Sequence, residues 1–174
     1  MGAQWGALGR SPSFPSAVRP VPGESGRNET QPVFVGVHER QLDDRGRVAL
    51  PPTFRHPLGD LCYLFSGEDG CVSIRSVESF KDEATDLIAR VKRGEASRDR
   101  QRAFAASASE ASIDKQGRVT LSPELRGYAG IDQQSAIVVL GDLDHIEIWE
   151  PAAYAVHRDN GSNELTGDTM GDTA

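Results

Sequence analysis

The chain is short of the residues on which several classes of protein depend. It holds only two cysteines, Cys62 and Cys71. They are too few for a disulfide framework and suit reduced, packed thiols of a cytosolic protein, a cross-strand bridge being the less favoured alternative. No Cys/His spacing suits zinc, and His38, His56, His145 and His157 share no interval, so neither a metal nor a cofactor is expected. No apolar run approaches the roughly 20 residues that span a bilayer, and the N-terminus lacks the apolar segment of a secretory signal. A paired nucleophile and base is missing, as is a glycine-rich phosphate loop, which argues against an enzyme. Basic residues are outnumbered, giving a formal net charge of −7. Taken as a total, that charge opposes nucleic-acid binding.

What the chain does have is a repeat. Leu42-Asp43-Asp44-Arg45-Gly46-Arg47-Val48-Ala49-Leu50-Pro51-Pro52-Thr53-Phe54-Arg55 returns 71 positions later, without a gap, as Ile113-Asp114-Lys115-Gln116-Gly117-Arg118-Val119-Thr120-Leu121-Ser122-Pro123-Glu124-Leu125-Arg126. Repetition outranks other signals, because missing it mis-assigns the fold. In each copy the Asp ends a strand, and its carboxylate can accept backbone N–H groups of the following turn. The Gly suits a turn that needs positive φ. Val-x-Leu then alternates as a second strand, and Pro-x-x-Arg opens a short helix. The repetition continues: Cys62 to Ile74 matches Ala136 to Ile148, now 74 positions on. Both read as an apolar strand, a Gly/Asp turn and an alternating strand, which is a hairpin pattern. A single copy has fewer than about 60 residues, a size at which burial is marginal. The two copies are therefore expected to share one core, and further subunits can add to it.

Four segments follow. Residues 1–32, rich in Gly, Pro, Ser and Arg, are expected to be a disordered extension. They also fit a misplaced start: Val33-Phe34-Val35-Gly36 could begin the protein, and a GUG start codon would read internally as Val. The first motif with its helices spans 33–107, the second motif 108–157, and the polar tail 158–174, with four acids against one base, is expected to be mobile. Between the motifs, Ser76 is a suitable N-cap, and Val77, Phe80, Ala84, Leu87, Ile88 and Val91 predict a helix with one apolar face, ended by Gly94. Residues 96–108 predict a second helix. Its Arg98, Arg100 and Arg102 read first as a solvated or ion-paired face. Residues 151–157 read as a final turn. Charge is thus segregated: arginines crowd the first motif and the middle of the chain, and acids the tail.

The doubled Asp-x-x-Gly-Arg motif and the closing Glu147-Ile148-Trp149 resemble the MraZ family of bacterial transcriptional regulators, over about residues 33–157. Val33 to Gly36 resembles the family's usual start and Leu42 to Arg47 its first signature. Arg102 through Phe104, Ala108 and Glu110 to Arg118 resemble the second. One such motif is shared with many AbrB-type repressors and antitoxins; two in this order with the Glu-Ile-Trp ending are specific. Ser122, where the family more usually has Pro, and the N-terminal arm are departures. The resemblance implies an α+β, mostly β fold: tandem swapped-hairpin AbrB-like β-barrel halves sharing one core, with two connecting helices. It also implies a sequence-specific DNA-binding repressor of its own division and cell-wall operon. Such a protein reads G-rich direct repeats in double-stranded DNA as a homo-oligomeric ring, in the cytoplasm and on the nucleoid.

In related swapped-hairpin proteins the arginine after the turn glycine, and those flanking it, face DNA. Carried over, these are Arg40, Arg47 and Arg55, with Arg45 also basic where the second copy has Gln116. The second copy offers Ala111, Arg118 and Arg126. More arginine means more phosphate contacts, which favours the first copy as the reader. An arginine on a rigid turn can also bond two guanine acceptors, at about 1–3 kcal/mol of discrimination. For Arg47 a DNA contact is favoured over pairing with Asp43; for Arg118 pairing with Asp114 is favoured. Asp43, Gly46, Asp114 and Gly117 are read as turn-formers. Two alternatives stand beside this: an oligomeric protein-interaction scaffold, and an AbrB-type antitoxin, whose long toxin-binding tail this short polar C-terminus does not resemble.

Overall fold

The computed structural model describes residues 33–167; the expected N-terminal extension and the end of the tail, 168–174, lie outside the described residues. The fold is α+β, with eight strands against five α-helices among the described residues. The first copy runs β1 (Phe34–Gln41), β2 (Arg47–Ala49), α1 (Pro52–Leu58), β3 (Leu61–Ser66) and β4 (Val72–Ser76). Two connecting helices follow, α2 (Val77–Arg93) and α3 (Arg98–Ser107). The second copy is β5 (Ser109–Ser112), β6 (Arg118–Thr120), α4 (Pro123–Tyr128), β7 (Ala136–Leu143) and β8 (His145–Trp149), and α5 (Pro151–Thr166) completes the described chain.

The copies exchange strands. The six-stranded sheet has the order β1-β7-β8-β4-β3-β5, and β2 pairs only with β6. Each hairpin, β3–β4 or β7–β8, accepts as its outer neighbour the first strand of the other copy. Exchanging every strand for its repeat counterpart reverses the sheet order and leaves it unchanged, so a pseudo-twofold axis passes between β4 and β8. There Ser73 lies opposite Glu147, each the other's counterpart. On the ribbon the axis passes between Val48 and Val119.

One core follows from this exchange. Leu42, Val48, Leu50, Phe54, Leu64 and Ile74 of the first copy pack in a single buried cluster with Val119, Leu121, Leu125, Ile137, Val139, Ile146 and Ile148 of the second. Neither copy could bury these side chains alone. On the other face of the sheet, Phe80 of α2 stacks between Tyr63 of β3 at 4.1 Å and Phe104 of α3 at 5.4 Å. Ser76 caps α2 by accepting from the Ser79 amide, and left-handed Gly94 ends it.

The C-terminal segment departs from expectation. Where residues 151–157 read as a turn and the chain beyond as mobile, α5 continues to Thr166. Pro151 starts the helix, Glu150 caps it by accepting from the Ala153 amide at 2.9 Å, and Trp149 packs against Tyr154 and His157. Those contacts nucleate the helix, after which each added residue costs little. The helix lacks an apolar face of its own, so periodicity could not reveal it. Among the described residues no helix is long and apolar enough to cross a membrane.

Candidate nucleic-acid interface

Each Asp-x-x-Gly-Arg segment folds into the same closed turn. In the first, Asp43 Oδ1 accepts from the amides of Arg45 at 2.9 Å and Arg47 at 2.8 Å. The Asp43 amide donates to the Arg47 carbonyl at 2.9 Å and the Gly46 amide to the Asp43 carbonyl at 3.1 Å. The second repeats this with Asp114 Oδ1 accepting from Gln116 and Arg118, both at 2.9 Å. Gly46 and Gly117 sit at φ of 73° and 74°, a region costly for any residue with a Cβ.

The arginine after each glycine is held by the aspartate that opens the turn. Arg47 donates Nε to Asp43 Oδ2 at 2.7 Å and places Nη2 at 2.7 Å from the same oxygen. Arg118 does likewise with Asp114 Oδ2, both distances being 2.8 Å. The two arginines therefore share one environment, and Arg47 makes the aspartate pairing that the sequence favours only for Arg118; Arg118 Nη1 also lies 4.0 Å from Asp43 Oδ2. Partial desolvation pushes Asp43 up, but bonds from the Arg47 amide and guanidinium and the Arg45 amide outweigh it, so its carboxyl titrates below the usual value. Asp114 is also lowered, first by the Arg118 amide against desolvation, then by the Arg118 guanidinium and the Gln116 amide.

Antiparallel pairing of β2 with β6 sets the turns at opposite ends of a three-pair ribbon, Arg47 opposite Thr120 and Arg118 opposite Ala49. Val48 and Val119 point into the core, so by the period of a strand Arg47 and Arg118 lie on the outer face. The arginines that end each Pro-x-x-Arg reach across the repeat. Arg55 lies over Gly117, where a Cβ would collide with its Nε and Cζ, and Arg126 lies over Gly46. Arg55 Nε donates to the Leu50 carbonyl at 2.8 Å, while Arg126 Nε is buried without a partner. The ribbon closes with the Leu50 amide bonded to the Gly117 carbonyl and the Leu121 amide to that of Gly46. Arg40 is half-buried and donates Nη1 to the Glu39 carbonyl at 2.8 Å.

The family model described as "MraZ protein, putative antitoxin-like" matches residues 104–166. A "Transcriptional regulator MraZ" of Cutibacterium acnes is 37% identical over 118 residues, 68% of this chain and 82% of that protein. One of Corynebacterium diphtheriae is 34% identical over 143 residues, 80% of this chain and 99% of that protein. The chain belongs to the MraZ family. Those relatives are named as regulators of transcription, not as enzymes.

In this MraZ-family chain the tips of both turns, Asp44-Arg45 and Lys115-Gln116, are exposed. Arg45 and Lys115 form no salt bridge among the described residues. Lys115 is the residue that position-by-position comparison passes over, because it aligns with Asp44 while Arg45 aligns with Gln116. Its signal is only that a cation occupies a turn tip, and the ribbon is what sets the two tips at its opposite ends.

Proposed function

We propose that this protein is a sequence-specific DNA-binding regulator, a repressor of its own division and cell-wall operon, which reads G-rich direct repeats as a homo-oligomeric ring on the nucleoid. The observation that carries this reading is the outward-facing β2–β6 ribbon with an arginine-bearing turn at each end. A major groove admits a two-stranded ribbon and offers guanine O6 and N7 to a guanidinium. Asp43 engages Nε and Nη2 of Arg47, which sets the side chain's direction before DNA arrives and leaves the Nη1 edge for a base. Pairing with an aspartate and contacting DNA are then two parts of one role.

Arg45 and Lys115 supply charge toward phosphates, and Arg40 flanks the first turn. Arg55 acts from behind the second turn, with its Nη groups left for a phosphate. One ribbon makes few contacts, so affinity depends on several identical ribbons meeting repeated boxes, gaining by effective concentration. The relatives' name supports regulation of transcription; the acidic total opposes nonspecific binding and is offset locally by the exposed turn cations.

The test is a mobility-shift titration with the duplex upstream of the protein's own gene, against a scrambled duplex, at several salt concentrations. Tighter binding to the promoter that weakens with salt is expected. Indifference to the promoter at low ionic strength would overturn the reading.

A further inference from the structure

At the far end of the β7–β8 hairpin three side chains converge that the DNA reading does not use. Asp142 lies directly opposite His145, and Leu140 opposite Glu147, so strand alternation sets Asp142, His145 and Glu147 on one face. That face is the one turned away from the shared core, since the intervening Ile146 and Ile148 are buried in it. One ligand atom from each residue falls within 4.8 Å of the others. His145 Nε2 stands 3.3 Å from Glu147 Oε1 and 3.8 Å from an Asp142 carboxylate oxygen. A tetrahedral ion bonded at about 2.0–2.2 Å separates its ligands by roughly 3.4 Å.

Groups outside the trio aim it. Asp144 Oδ1 lies 2.7 Å from His145 Nδ1, so a neutral ring that donates from Nδ1 to Asp144 would leave its Nε2 lone pair for an ion. Trp149 Nε1 donates to Glu147 Oε2 at 2.8 Å, which leaves Oε1 toward the imidazole. Carboxylate behind histidine and donor behind carboxylate are the supports that orient metal ligands. The nearby cation is already engaged: Arg75 pairs with Asp144 and lies 3.7 Å from Glu83. His145 and Glu147 side chains are each 14% exposed and Asp142 54%, so the trio is held from beneath and open above. The repeat counterparts, Glu68, Cys71 and Ser73, cannot reproduce this donor set, and the site belongs to the second copy alone.

We propose that Asp142, His145 and Glu147 bind one divalent transition-metal ion, zinc by preference, with the fourth position open. One imidazole and two carboxylates suit a borderline ion rather than a purely oxygen-seeking one. The ion would bridge β7 and β8, independently of whether the ribbon reads DNA.

The experiment is calorimetric titration of the untagged, chelator-treated full chain with zinc, and with magnesium as a hard-ion control. One zinc per chain is expected, with no heat from magnesium. Asp142→Asn, a surface change that leaves the fold intact, and His145→Gln should each weaken zinc binding by about tenfold or more. On zinc addition the Nε2 nitrogen resonance of His145 should shift while those of His38, His56 and His157 stay. Absence of zinc binding overturns the proposal, and so does equal affinity in wild type and Asp142→Asn, which would put the ion elsewhere. Should His145→Gln unfold, the Asp142→Asn result and the imidazole resonance decide.

Discussion

Val48 and Val119 face one another across the ribbon, both with no exposed surface, and each is the other's counterpart in the repeat. The contact at the middle of the molecule is thus made by one position of the motif meeting itself. Shortening either valine to alanine should cost about 2 kcal/mol of unfolding free energy. The double variant should cost less than both together, since the two share one cavity. Urea denaturation gives all three values; strict additivity would mean that the side chains do not touch.

Gly117 answers to two constraints, its positive φ and the Arg55 guanidinium lying over it. Gly117→Ala should lose about 1–2 kcal/mol to backbone strain alone, and more from displacing Arg55. At Gly46 the nearest atoms to an added Cβ are Leu121 O at 3.1 Å and Arg126 Nε at 3.4 Å, a milder crowding. Gly117→Ala should therefore unfold at lower urea than Gly46→Ala. Adding Arg55→Ala to Gly117→Ala should recover the part due to collision, and no recovery would show that strain is the whole effect.

For DNA, Arg47→Ala should abolish promoter-specific binding with assembly unchanged by light scattering. Arg45→Ala should instead reduce binding to all duplexes and lower the slope of log affinity against log salt by about 0.9, the loss of one phosphate contact. Arg118→Ala should fall between, its Nη1 being near Asp43 as well. Promoter binding by Arg47→Ala equal to wild type at matched salt would remove Arg47 from the interface.

Asp43 and Asp114 titrate below the ordinary 3.8. A carboxyl depressed by folding stabilises the folded state fully above its unfolded pKa, and that contribution is lost as pH falls through the folded value. Stability should thus decline from just above 3.8 downward, and Asp43→Asn with Asp114→Asn should flatten that decline. Denaturation midpoints from about pH 6 to about pH 2 measure it; an unchanged slope in the double variant would assign the acid lability elsewhere.

Residues 33–174, expressed without the N-terminal extension, should bind promoter DNA as the full chain does. A large loss in a side-by-side shift assay would give the extension a part in binding.

Local pattern was legible where a residue type answers to its immediate neighbours. The spacing of Asp43, Gly46 and Arg47 describes a turn, Ser76 and Gly94 bracket a helix, and Cys62 to Ile74 alternates as a hairpin. The α5 helix was not legible, because its stability comes from Trp149 and an N-terminal cap rather than from an apolar stripe. Nor was the Asp142–His145–Glu147 trio: its members carry no metal-ligand interval, and only the β7–β8 register and the Trp149 indole bring their ligand atoms together.

The sequence by itself determined that there are two copies, the type and order of most elements, and the turn chemistry, because each of these rests on interactions a few residues long. The tertiary structure decided which strand pairs with which. β1 joins β7 and β5 joins β3, exchanges across more than 40 residues that no local preference encodes. It also decided that Arg55 and Arg126 reach over the other copy's glycine, because strand exchange is what sets each short helix beside the opposite turn. The physical reason is common to both: half a core cannot exclude water, so the two copies complete each other's burial, and side-chain roles follow from that shared packing.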